Sequence, residues 1–264
     1  LPQLAVCLRD HGLVVPQAFG AIANHQADAH QEWCFAQGEN RFAALYHYKG
    51  RAFAMGSAAH YRWDEWGYQE TVLHLRIGER PEAAVWINHP GETIQLGYGR
   101  PSYWGGCGAV PRTHQYRGLA VLDFNTVDEQ VDFSHAWFPV AEFDESRVSG
   151  NLALARSGNG ALFLKGSAPF ESVTEGPSAH VELRQRGRRT RWVVRVCEAS
   201  DLASVGERFA AIALREEADG TLVLDDPEYG VVRFRADGVT EAEGRIVDPK
   251  AFTVAGTATV LSAT

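Results

Sequence analysis

The chain has 264 residues, 45% of them hydrophobic and 22% charged, which is ordinary globular usage: enough apolar side chains for a sizeable core and too few charges for a disordered chain. Its formal net charge is -8 and its arginines are scattered, apart from the run Arg184, Arg186, Arg188, Arg189 and Arg191, so it lacks the concentrated positive face with which a nucleic-acid binder displaces phosphate counterions. No apolar stretch approaches the ~20 residues needed to span a bilayer, so neither nucleic acid nor membrane is an expected partner.

Residue 1 is leucine rather than methionine, which leaves room for an upstream leader or domain and leaves localisation open. Cys7, Cys34, Cys107 and Cys197 lie far apart and form no CxxC pair, so free, mostly buried thiols are expected rather than a zinc ribbon or a dense disulfide framework. After Pro16, residues 17–33 hold few glycines or β-branched residues and read as a weak helix with proline in its first turn. Residues 1–40 are therefore set apart as a partly helical N-terminal segment.

From about residue 41 the sequence breaks into short runs of period-two hydrophobicity separated by glycine, proline and acidic residues. In residues 71–77, Leu73, Leu75 and Ile77 share one face, with His74 and Arg76 on the other. Similar runs occupy 83–88, 119–124, 161–165, 191–197, 221–224 and 231–234, too many strands for one small open sheet. Asp219-Gly220 and Asp237-Gly238 suit tight hairpins. In 201–214, Leu202, Val205, Phe209 and Ile212 recur at helical spacing behind Ser200 or Asp201 as cap, which predicts a helix laid across a sheet face. The arginine run between two strand-like stretches reads as a solvated hairpin loop. The expected fold is all-β: residues 41–264 as a large two-layer antiparallel β-sandwich with short helical additions.

Polar and aromatic residues concentrate between Tyr46 and Pro139, largely in turns, where a rigid scaffold usually carries its site. Four stretches stand out: His60-Tyr61-Arg62 followed by Trp63, Trp66, Tyr68 and Gln69; Asn88-His89-Pro90-Gly91-Glu92; Arg100-Pro101-Ser102-Tyr103-Trp104; and Pro111-Arg112-Thr113-His114-Gln115-Tyr116. Aromatic rings beside arginine and amide groups suit sugars, whose C–H faces stack on rings while hydroxyls and carboxylates take directed hydrogen bonds. His89 and His135 are candidates for proton transfer or carboxylate binding and equally for structural hydrogen bonding. The ten histidines never form HExxH or a finger spacing, and no GxSxG elbow, Walker loop or dinucleotide fingerprint is present, so no metal or cofactor is expected. Glu142, Asp144 and Glu145 could supply paired glycosidase carboxylates, although acidic clusters at strand ends are usually solvated.

At these stretches the chain resembles the C-terminal β-domain of heparinase II/III-like proteins, which join an α/α toroid to a β-sandwich. The residues that carry the resemblance are Gly56-Ser57-Ala58-Ala59-His60-Tyr61-Arg62, Gly67-Tyr68-Gln69, Asn88-His89-Pro90-Gly91, Arg100-Pro101 with Tyr103-Trp104, Pro111-Arg112 with Gln115-Tyr116, and His135 through Pro139 with Phe143-Asp144-Glu145. The chain departs from that pattern at Cys107, where many related chains carry asparagine. The resemblance implies a polysaccharide lyase that cleaves uronic-acid glycan by β-elimination, with residues 1–40 as the end of a toroid that supplies much of the cleft. Such a lyase neutralises the substrate carboxylate, removes the C5 proton and protonates the departing oxygen. The implied roles are Arg112 and Gln115 as carboxylate ligands, His89 or His135 in proton transfer, Tyr68 as acid/base, and Arg100 with Trp104 shaping the sugar cleft. Expected partners are an acidic polysaccharide or oligosaccharide and an α/α toroid domain or subunit. A glycoside hydrolase of the same architecture and a non-catalytic carbohydrate-binding module are the alternatives.

Overall fold

A computed structural model describes residues 31–37, 43–59, 72–90, 103–104, 109–126, 131–248 and 253–255. The weak helix expected over 17–33 lies outside them except for its last three residues, which are strand. In chain order the strands are β1 (Gln31–Gln37), β2 (Ala43–Lys49), β3 (Phe53–Ala59), β4 (Leu73–Ile77), β5 (Ala84–Asn88), β6 (Arg112–Tyr116), β7 (Leu119–Asn125), β8 (Phe133–Trp137), β9 (Glu145–Ser149) and β10 (Leu152–Ser157). There follow β11 (Gly160–Gly166), β12 (Phe170–Ser172), β13 (Glu182–Arg186), β14 (Arg189–Glu198), helix α1 (Leu202–Phe209), β15 (Leu214–Glu216), β16 (Leu222–Asp226), β17 (Gly230–Phe234), β18 (Thr240–Ala242), β19 (Arg245–Val247) and β20 (Thr253–Ala255).

Every pairing is antiparallel, in three sheets among the described residues. A nine-stranded sheet runs β12-β13-β8-β5-β4-β3-β2-β1-β20, and a six-stranded sheet runs β6-β7-β14-β11-β10-β9. They form the expected all-β sandwich, and period-two alternation builds its interior. Met55, Leu75 and Val85 lie in one register row and all are buried, as are Trp192, Leu122 and Thr113 of the facing sheet. The Trp192 indole donates to Ser134 Oγ at 2.7 Å, tying the layers together. Close packing leaves no room for a side chain at Gly160, whose Cβ would stand 2.1 Å from the Ala52 carbonyl oxygen. The sheet begins N-terminal of residue 41, since β1 pairs with both β2 and β20.

The third sheet, β15-β16-β17-β18-β19, and α1 cover the outer face of the six-stranded sheet, an additional layer beyond the two expected. The Asp-Gly turns expected for this region are present, with Gly220 at φ +83° and Gly238 at φ +90°, in the left-handed region that favours glycine. Phe234 stacks on His114 and Phe209 packs on Phe163. Leu202, Val205 and Phe209 are the buried stripe of α1, and Asp201 caps it by accepting from the backbone N–H groups of Ala203 and Ser204. The helix thus lies on a sheet face as its periodicity implied, but it ends at Phe209, short of the expected 214, and Leu214 already begins β15.

The arginine run is a correction. β13 belongs to the nine-stranded sheet and β14 to the six-stranded one, so the segment is a corner between layers and not a hairpin. Its arginines are engaged: Arg186 with Glu171, Arg191 with Asp123 and Glu216, and Arg184 with Glu182. Arg186, Arg188 and Arg189 are exposed, as a solvated segment would be, whereas Arg184 and Arg191 are half-buried against their carboxylates.

Candidate functional site

On β8, Ser134 and Ala136 point into the sandwich, which turns Phe133, His135 and Trp137 to the outer face of the nine-stranded sheet. β13 pairs alongside with Trp137 opposite Glu182 and His135 opposite Arg184, so a histidine, a carboxylate and a guanidinium share that face. His135 Nδ1 lies 2.9 Å from Glu182 Oε1, and both side chains are fully buried. The same oxygen accepts from the Tyr103 hydroxyl at 2.7 Å and from Arg184 Nε at 2.8 Å, and Arg184 also donates to the Tyr103 oxygen at 2.7 Å.

Burial alone would raise the Glu182 pKa, but hydrogen bonds from His135, Arg184 and Tyr103 outweigh it and hold the carboxyl at about 2. Burial lowers the pKa of His135 against the opposing pull of Glu182, so the pair is a carboxylate and a neutral imidazole. Burial, reinforced by the Glu182 carboxylate, pushes the Tyr103 phenol well above its usual range. Since an ionised carboxylate only accepts, the proton of the neutral ring belongs on Nδ1. Nε2 then carries the lone pair, and it has no hydrogen-bond partner among the described residues.

Aromatic rings enclose this group. Trp104 stacks on the His135 imidazole, Tyr103 meets it edge-on at 4.9 Å, and Phe133 carries both Arg184 and Arg186 over its ring. Trp86 and Trp137, opposite one another on β5 and β8, stack at 5.0 Å, and His74 continues the row from β4. Gly56 on β3, in that same row, leaves room that the His47 ring fills, since a Cβ there would meet His47 Nδ1 at 2.8 Å.

The structure gathers three of the residues singled out in the sequence, His89, His135 and Trp104. Asn88 lies opposite His135 and donates to the Trp104 carbonyl at 3.4 Å, and His89 follows directly. His89 Nε2 is 3.1 Å from the Val131 carbonyl, so that nitrogen carries a proton and its ring is buried.

Arg112 and Gln115 are elsewhere. Arg112 shares the outer face of the six-stranded sheet with Asp123, on the far side of the sandwich from His135. It donates to the Gly220 carbonyl at 2.8 Å and lies 3.7 Å from both Asp123 and Glu216, so its fork already faces carboxylates of its own chain. Gln115, one face over, is sealed between the layers and donates to the Met55 and Arg117 carbonyls. β6 belongs to the six-stranded sheet, and alternation along it turns Arg112 outward and Gln115 inward, so neither reaches the histidine cluster on the outer face of the other sheet, which corrects the expectation that they bind a substrate carboxylate beside it. Tyr68 and Arg100 lie outside the described residues. Asp144 pairs with Arg80 and lies near Arg156, while Glu145 is exposed, so these carboxylates form surface ion pairs.

Glu182 and Arg184 escaped sequence reading as site residues, and Tyr103 was noticed only within its stretch. The alternation Glu182, Arg184, Arg186 along β13 is the signal that they share a face, but nothing local names β8 as the partner strand. Comparison with protein-family models, curated proteins and solved structures finds no match to this chain.

Proposed function

We propose that this chain is the β-sandwich portion of a carbohydrate-active enzyme that cleaves uronic-acid-containing glycan by β-elimination, together with an α/α toroid domain or subunit. The observation that carries the reading is the buried His135–Glu182 pair, in which Nε2 has no hydrogen-bond partner among the described residues and the ring lies against Trp104. In the reaction His135 Nε2 takes the C5 proton, the C5–H electrons form the C4–C5 double bond, and the glycosidic oxygen leaves C4 with its bonding pair. The imidazolium returns the proton to that oxygen. Arg184 replaces Arg112 as the guanidinium beside the reacting groups, and the tryptophans offer stacking surface for sugar rings.

Elimination leaves an unsaturated uronate with a strong ultraviolet band, whereas hydrolysis leaves none. Digestion of a panel of uronic-acid polymers by the chain supplied with its toroid should therefore raise the absorbance, and His135→Gln should abolish the rise. Cleavage without absorbance favours the hydrolase and refutes elimination. The second reading, a non-catalytic sugar-binding module, is favoured by the complete burial of His135 beneath Trp104, and binding without cleavage by the complete protein would select it.

A further inference from the structure

We propose that Glu182 is the positioning residue of this site: it fixes the proton of His135 on Nδ1, orients the ring, and so makes Nε2 the atom that accepts a proton. The proposal rests on the reading of His135 as proton acceptor and adds to it the residue that makes the histidine fit for that task.

The geometry points to Glu182 from several sides. The carboxylate is fixed by two donors besides His135, the Tyr103 hydroxyl and the Arg184 guanidinium, so it cannot swing away from the imidazole without breaking both bonds. Trp104 lies flat on the imidazole, while Tyr103 and Phe133 meet it edge-on at 4.9 and 5.8 Å, leaving the ring one orientation. A buried acceptor nitrogen without a hydrogen bond among the described residues calls for an explanation, and a role in accepting a proton supplies one.

Charge distribution leads to the same residue. Among the described residues, the titratable or charged groups that act most strongly on His135 are Glu182 and Arg184 from β13 and His89 after β5. Of these, Arg184 and His89 oppose a positive imidazole and Glu182 favours one. When Nε2 gains a proton, the new cation is therefore stabilised by Glu182, which stays ionised while Nδ1 keeps its own proton. This is the division of labour by which a buried carboxylate serves a catalytic histidine in hydrolase triads.

The test is imidazole nitrogen NMR on the 15N-labelled full chain, with His135 assigned by the signals lost in His135→Gln. The wild type should show a neutral His135 protonated on Nδ1. Glu182→Gln should lower its titration midpoint by about one unit, because the favourable charge is gone while burial remains. In the elimination assay Glu182→Gln should lower turnover about a hundredfold and carry the acid limb of the pH profile down with that midpoint. Should Glu182→Gln fail to fold, Glu182→Asp keeps the charge one methylene farther off and should leave the proton on Nδ1 with a smaller downward shift. A wild-type proton on Nε2, or a midpoint unmoved in a folded variant, overturns the proposal. Absence of elimination by the wild type alongside the expected NMR result refutes the lyase reading and leaves the role of Glu182 standing.

Discussion

The His135 imidazole lies under the Trp104 indole with ring centroids 4.3 Å apart and planes within 5° of parallel. Trp104 is held there through its backbone carbonyl, which accepts from Asn88, the residue opposite His135 in the sheet. Burial is what lowers the pKa of His135, and Trp104 is part of that burial. Trp104→Ala should therefore raise the midpoint back toward the ordinary 6.5 and speed acylation of His135 by diethyl pyrocarbonate. A midpoint and acylation rate equal to the wild type would show that other groups seal the ring.

The His135–Glu182 pair makes stability depend on pH. His135 titrates lower in the fold than its ordinary 6.5, so the unfolded chain binds more protons in that window; its contribution is complete above 6.5 and declines as pH falls through the folded value. Glu182 adds a second decline, complete above 4.5 and lost as pH falls through about 2. Urea midpoints measured from about pH 8 down to about pH 3 should fall in both windows. His135→Gln should shrink the upper decline to the part that His74 contributes, since burial also holds its imidazole below 6.5, and should retain the lower decline.

Arg195 and Asp226 join the third sheet to the sandwich. Arg195 is 1% exposed and Asp226 is fully buried, with Nε 3.1 Å from Oδ2. Arg195 also reaches Glu228, donates to the Val196 carbonyl, and lies over the Tyr229 ring at 4.2 Å. Removing the cation strands a buried carboxylate, so Arg195→Ala should destabilise by about 3–5 kcal/mol, read from urea denaturation. Arg195→Ala, Asp226→Ala together should be less damaging than the sum of the single changes, because neither charge is then left alone.

Gly160 tests the packing where the β10–β11 hairpin meets the nine-stranded sheet. A methyl group there would clash with the Ala52 carbonyl oxygen and with the Gly78 nitrogen at 2.5 Å, two backbone atoms hydrogen-bonded to each other. Gly160→Ala should lower stability by about 1–3 kcal/mol. Gly158→Ala, two residues away and with open space around it, separates this steric effect from the strain of positive φ.

Local pattern carried much of the architecture. The alternation in β4 named Leu73, Leu75 and Ile77 as core, and all three are buried while His74 is exposed. The spacing of Leu202, Val205 and Phe209 named the buried face of α1, and both Asp-Gly pairs marked turns. These features depend on side-chain periods and backbone preferences within a few residues, so the sequence by itself determined them.

Which strands meet, and in which layer, was decided only by tertiary structure. Period two assigns residues of one strand to two faces but does not choose its neighbour, so the shift of sheet between β13 and β14 was illegible and the arginines between them read as a loop. For the same reason Arg112 appeared beside the histidines, although β6 carries it to the opposite side of the sandwich and surrounds it with Asp123 and Glu216. His135 was visible as a histidine with two plausible roles; its partner Glu182 lies 47 residues along the chain, and only the pairing of β8 with β13 brings the two within hydrogen-bond distance. Residue types and their local faces are set by near neighbours, whereas a site of this kind is set by long-range pairing, in which the burial of whole sheet faces selects among partners that no single strand can specify.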